Sequence, residues 1–192
     1  AKNVSEASLL IKPIKKELQE KFSKYIFGED NETLPNILIK ELIKRDETIV
    51  FAESCTGGLL SSRITSVSGS SQVFKGSIIA YSNELKNLLL DVPKELLNSF
   101  GAVSEEVAES MAIGAKNKLN SDWAIAVSGI AGPKGGNESK PIGLVYIAIT
   151  GPNNVTIKIK KEYNPLRKRN EIQRLSVNDC LNSLRLILLS NK

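Results

Sequence analysis

The 192-residue sequence contains no histidine, two cysteines and one tryptophan, and only 5% of its residues are aromatic. The missing imidazole excludes most. Neither a Ser-His-Asp nor a Cys-His arrangement can form, and two lone cysteines cannot supply the ligands that a zinc site would still need. Any nucleophilic chemistry must therefore take its base from elsewhere. Lysine and tyrosine remain, since a lysine in a desolvated, cation-rich pocket loses its proton near neutral pH. Cys55 and Cys180 lie far apart with no leader-like segment ahead of them. They read as free thiols in a reducing compartment, and a cytoplasmic location is expected.

Long apolar runs are also missing. The apolar stretches are short and punctuated, well under the roughly 20 residues of a membrane-spanning helix. A net charge of +5 would permit an anionic partner, but Lys and Arg alternate with Asp and Glu along nearly the whole chain. With so few aromatics and no basic–aromatic interleaving there is no platform for stacking bases, so nucleic acid is not expected as a partner. A phosphate-bearing small molecule suits the charge spread better. The densest basic runs, Lys158–Lys161 and Arg167–Arg169, read as solvated surface.

What is present organises into alternating helices and strands. Leu10, Ile14, Leu18 and Phe22 recur every four residues and predict an amphipathic helix over Val4–Phe27, ending near Gly28. Thr33 reads as the N-cap of a second helix with Pro35 in its first turn. The β-branched run Thr48–Ala52 predicts a buried strand, followed by a glycine turn and a helix carrying Leu59, Leu60, Ile64 and Val67. A second strand is expected at Ser77–Tyr81, and short helices at Asn83–Leu90 and from Pro93 to Phe100. Ser104 caps a further helix with Glu105 and Glu106 in its first turn, where negative charge suits the helix dipole. Trp123–Val127, Gly143–Ile149 and Val155–Tyr163 predict three more strands, the last two joined by a turn at Gly151–Asn154, and a helix follows from about Asn170. This order implies an α/β domain in three layers, with a mixed, mainly parallel sheet covered by helices.

Three polar clusters interrupt these elements, each at the carboxyl end of a predicted strand, where ligands bind in open α/β sheets. In Ala52-Glu53-Ser54-Cys55-Thr56-Gly57-Gly58 a serine at the bend projects its hydroxyl into a cleft, and the following N–H groups can hold an oxyanion or phosphate. The same spacing equally describes a serine or threonine that only caps a helix. In Ala80-Tyr81-Ser82-Asn83-Glu84-Leu85-Lys86, Tyr81 and Lys86 lie about a helical turn apart, as a base and a proton relay would, or as an ordinary half-buried tyrosine and surface lysine. Ser128-Gly129-Ile130-Ala131-Gly132-Pro133-Lys134-Gly135-Gly136 offers backbone donors without bulky side chains. It matches neither a Walker A loop nor a dinucleotide fingerprint.

Together these segments resemble the carboxyl-terminal domain of the CinA family, which includes the PncC-type nicotinamide mononucleotide deamidases. The resemblance rests on AESCTGG at 52–58, YSNELK at 81–86, GAVSEEVAESMAIGA at 101–115, SGIAGPKGG at 128–136 and KPIGLVYIA at 140–148, and spans roughly Leu34 to Leu188. It implies an amidohydrolase that converts nicotinamide mononucleotide to nicotinic acid mononucleotide and ammonia, with Ser54, Tyr81 and Lys86 as the catalytic set. Thr56, Gly57, Gly58, Ser128, Gly129 and Gly132 would line the substrate. Arg169 and Arg174 fall where the family carries arginines before its last helix, one of them toward the ribose phosphate. No metal or cofactor is implied, and a homodimer is. The resemblance also makes residues 1–30 an amino-terminal helix and linker left from an upstream CinA domain, with 31–192 as the amidohydrolase domain. Some CinA relatives are described through competence and damage responses, so the alternative is a regulatory module that binds nucleotide without turnover.

Overall fold

The computed structural model describes residues 1–152 and 155–190; the turn expected at Gly151–Asn154 lies partly outside them. The elements in chain order are α1 (Val4–Phe22), α2 (Leu34–Arg45), β1 (Ile49–Glu53), α3 (Leu59–Thr65), a short 3-10 turn at Ser70–Gln72, β2 (Phe74–Ile79), α4 (Asn83–Leu90), α5 (Lys94–Phe100), α6 (Glu105–Lys118), β3 (Trp123–Gly129), β4 (Leu144–Thr150), β5 (Thr156–Glu162) and α7 (Arg169–Ser190). The strands form one sheet in the order β2-β1-β3-β4-β5. β1 runs parallel to both β2 and β3, while β4 is antiparallel to β3 and to β5. Four strands therefore point one way and β4 alone points back, the mixed, mainly parallel arrangement expected.

Strand alternation splits the core into two faces. Ile49 and Phe51 of β1 pack with α2, α3 and α7 through large side chains such as Leu38, Leu42, Ile64, Val177, Leu181 and Leu184. Val50 and Ala52 face the other way, into a cluster that includes Ala108, Ala112 and Ala115 of α6 and Ala124, Ala126 and Ala148 of the sheet. Small side chains on both partners bring α6 close to the sheet, and Gly114 brings it close to the end of α4. A Cβ at Gly114 would lie 1.9 Å from the Leu90 carbonyl oxygen.

Local caps set the boundaries. Thr33 and Ser104 are the N-caps expected: Thr33 caps α2 in a box that Asn36 closes, and Ser104 Oγ accepts from Val107 N at the start of α6. Two expectations shift. The helix predicted over Val4–Phe27 ends at Phe22, and its apolar stripe of Leu10, Ile14, Leu18 and Phe22 is exposed. The segment after it is held to the domain where Arg185 Nη2 of α7 donates to the Lys24 carbonyl at 2.7 Å. β2 spans Phe74–Ile79 rather than Ser77–Tyr81, because after Ala80 N donates to the Glu53 carbonyl, the Ala80 carbonyl turns out of the ladder toward a side chain of α4.

Candidate active site

β1, β2 and β3 deliver their carboxyl ends to one edge of the sheet, and the amino-terminal turn of α7 reaches the same edge. Ser54 follows β1 directly, its N–H donating to the Val127 carbonyl of β3 at 3.0 Å. Its hydroxyl turns to the α4–α6 side and meets Lys86, whose Nζ donates to Ser54 Oγ at 3.1 Å and to the Ala80 carbonyl at 2.9 Å. Lys86 is 1% exposed and Ser54 8% exposed. Among the described residues no carboxylate lies against the ammonium, and burial holds its pKa below the ordinary lysine value of 10.5. Both chemical readings of Lys86 in the sequence are thereby separated, since a surface lysine would be solvated.

The Ser54 loop is fastened from the opposite side by Glu53. Its fully buried carboxylate accepts from Thr56 Oγ1 at 2.7 Å, Gly58 N at 3.0 Å, Leu60 N at 3.1 Å, Ser61 N at 2.8 Å and Ser61 Oγ at 2.5 Å. The first-turn donors of α3 are thus taken up inside the protein. Gly57 N donates to the Ser54 carbonyl at 3.1 Å. Of the backbone donors between Thr56 and Gly58, only Thr56 N donates to no protein acceptor among the described residues. Gly57 and Gly58 both adopt positive φ, 60° and 101°, the geometry that brings the chain round from strand to helix.

Tyr81 stands at the rim, 59% exposed. Arg169, on the first turn of α7, donates through Nη2 to Tyr81 Oη at 2.8 Å and through Nη1 to the Gly132 carbonyl at 2.9 Å. One guanidinium therefore ties the loop after β2 to the loop after β3. One turn further along α7, Gln173 Nε2 donates to the Cys55 carbonyl at 2.8 Å. Cys55 itself is buried, and burial pushes its thiol up to about 12.

The structure brings Ser54, Lys86, Tyr81, Thr56, Gly57, Gly58, Gly132 and Arg169 to this edge. The others are placed differently. Ser128 Oγ is spent on the Ala102 carbonyl at 2.7 Å, fastening β3 to the segment before α6. Gly129 belongs to β3, and a Cβ there would come within 2.6 Å of Val145 of β4, so this glycine serves sheet packing. Arg174 is exposed on α7 and makes no hydrogen bond or ion pair among the described residues. Two polar side chains at the site were not singled out from the sequence. Glu53 was visible as a carboxylate closing an apolar strand, and Gln173 as a polar residue at i+4 from Arg169. Among the described residues no group of three or more His, Cys, Asp and Glu could hold a metal ion, and no helix is long and apolar enough to cross a membrane.

The arrangement provides a buried hydroxyl in contact with a desolvated amine, in a loop whose Thr56 N–H meets no protein acceptor among the described residues, which is the equipment of acyl transfer by a Ser-Lys pair. Comparison with known proteins gives the family. The chain is 70% identical over 191 residues to a "CinA-like protein" of Prochlorococcus marinus strain MIT 9215, covering 100% of this chain and 45% of that protein. It is 50% identical over 191 residues to the protein of the same description in strain NATL2A, covering 99% of this chain and 44% of that protein. The chain thus spans a little under half the length of these curated relatives. Among solved structures it is similar to the competence/damage inducible protein CihA from Agrobacterium tumefaciens, with TM-score 0.79 and 36% identity, covering 85% of this chain and 98% of that one. A CinA superfamily protein from Klebsiella pneumoniae matches with TM-score 0.78 and 27% identity, covering 82% and 96% of the two chains. Residues 31–188 match the family described as the CinA C-terminal domain, and the chain belongs to the CinA family.

Proposed function

We propose that this chain hydrolyses the carboxamide of nicotinamide mononucleotide, releasing nicotinic acid mononucleotide and ammonia. The observation that carries the reading is the contact between Ser54 Oγ and the Nζ of Lys86, a buried lysine with no counter-ion among the described residues. Desolvation favours the neutral amine, and the neutral amine has a lone pair to offer. It keeps one N–H on the Ala80 carbonyl and accepts the Ser54 proton as the hydroxyl oxygen attacks the carboxamide carbon.

The resulting tetrahedral oxyanion is met by the Thr56 N–H. Collapse breaks the C–N bond, and the Lys86 ammonium returns the proton to the leaving nitrogen, so ammonia departs and an ester to Ser54 remains. Water then attacks the ester carbonyl and gives its proton to Lys86. A second collapse expels the Ser54 oxygen, which recovers the proton, and the acid leaves. Tyr81 works at the mouth of the site. Arg169 occupies a lone pair of its phenolic oxygen, which leaves the phenolic hydrogen to be donated toward the substrate.

On the same reading, residues 1–30 are the helix and linker to an upstream domain. The protein works in the cytoplasm, as a homodimer and without a metal or cofactor. The length of the relatives supports the first of these, since matches over the whole chain fill only 45% of them.

The test is ammonia release from nicotinamide mononucleotide by the intact chain, beside Ser54→Ala and Lys86→Ala. Equal release by all three sinks the mechanism. Retained mononucleotide binding without release by the intact chain selects the regulatory module instead.

A further inference from the structure

We infer that Gln173 is a positioning residue for the reaction, aiming the Thr56 N–H at the oxyanion by holding the carbonyl end of the same peptide group. The inference rests on the hydrolytic reading above and adds to it a residue on the opposite side of the sheet.

The geometry follows from the two faces. Ser54 Oγ points to the α4–α6 side, where it meets Lys86. Gln173 belongs to α7, whose neighbours Ile172 and Val177 lie in the core cluster on the other side. Its Nε2 donates to the Cys55 carbonyl at 2.8 Å and so draws that oxygen toward α7. The Cys55–Thr56 peptide is trans, since the cis bond among the described residues is Gly132–Pro133. In a planar trans peptide the carbonyl oxygen and the following N–H point in opposite directions. With the oxygen drawn to α7, the Thr56 N–H is directed away from α7, to the side that holds the Ser54 hydroxyl.

Two further observations make the orientation consequential. The Thr56 N–H donates to no protein acceptor among the described residues, although Thr56 is 3% exposed. The neighbouring donors, Gly58 N, Leu60 N and Ser61 N, are all taken by Glu53, so the start of α3 cannot replace it. Glu53 and Gln173 thus divide the work, one consuming the α3 donors and one turning the Thr56 donor to the nucleophile. The turn closed by Gly57 N on the Ser54 carbonyl has the Cys55–Thr56 peptide at its centre, and Gln173 grips the carbonyl of that central peptide.

The experiment compares Gln173→Met and Gln173→Glu, which keep length and lose the donor, with Gln173→Lys, which keeps one. Rates are expressed per folded molecule, with folding checked by circular dichroism. Both donorless variants should lose about tenfold or more in kcat, as a misdirected oxyanion donor does, with KM within about twofold of the intact chain. Gln173→Lys should recover most of the loss. The aldehyde analogue of nicotinamide mononucleotide, whose adduct with Ser54 mimics the tetrahedral intermediate, should bind about tenfold more weakly to the donorless variants. The pH midpoint of kcat should not move, because Lys86 is untouched. A kcat within about twofold of the intact chain, or a loss accompanied by a shifted midpoint, overturns the assignment while leaving the hydrolytic reading standing. An intact chain that releases no ammonia overturns both.

Discussion

Ser54 and Lys86, 32 residues apart in sequence, meet at 3.1 Å because β1 and the β2–α4 connection end at the same edge of the sheet. Among the described residues the pair has no third charged member. Its polarity is set by burial, which favours the neutral form and so lowers the pKa of a lysine where it would raise that of a carboxylate. That fact determines the first two predictions.

Activity should rise with pH through the lowered Lys86 pKa and reach its plateau below pH 10.5, since only the neutral amine accepts the Ser54 proton. Ser54→Ala and Lys86→Met should each reduce kcat by about a thousandfold or more. An intact chain whose rate falls with rising pH across the neutral range would contradict the assignment of Lys86 as base.

Folding stability carries the same signature. Lys86 has a lower pKa folded than unfolded, so between that lowered value and 10.5 the unfolded chain binds more protons and stability rises with pH. Below the lowered value both states are protonated and the buried charge is a standing cost. Lys86→Met should therefore be more stable than the intact chain at neutral pH, by roughly 1 kcal/mol or more, and the difference should shrink as pH rises toward 10. Urea unfolding of both proteins at several pH values measures it.

Glu53→Gln exchanges an acceptor of five hydrogen bonds for an amide whose NH2 group faces donors. A buried donor–donor conflict should cost about 2–4 kcal/mol in urea unfolding and lower ammonia release as well, because the same carboxylate anchors the residue preceding Ser54.

Arg169→Lys keeps the charge and loses the fork. An ammonium cannot span the Tyr81 hydroxyl and the Gly132 carbonyl in the geometry the guanidinium holds at 2.8 and 2.9 Å. The expected result is a drop of about tenfold in kcat/KM with unchanged melting, measured beside Arg169→Ala.

Cys55 adjoins the nucleophile, yet its thiol is pushed up to about 12 by burial. Alkylation with iodoacetamide at pH 8 should leave it unmodified in the folded chain and proceed readily in urea. Rapid modification in the native state would contradict the packing of the Ser54 loop.

Much of this was legible in the sequence because periodicity and capping are local. Thr33, Ser104 and the run Asn83–Leu90 specify their own helices, and β-branched runs mark the buried strands. The absence of histidine confined the chemistry to lysine and tyrosine, and the three polar clusters named nearly every group at the sheet edge. What the sequence could not determine was which donors remain free. Gly129 and Ser128 carry the composition of a ligand loop, yet one packs against β4 and the other holds the Ala102 carbonyl, both contacts made with distant parts of the chain. Burial of Lys86, consumption of the α3 donors by Glu53 and the grip of Gln173 on Cys55 depend on layers assembled from residues up to 118 positions apart. A pKa and a peptide orientation are properties of surroundings, and only tertiary packing supplies them.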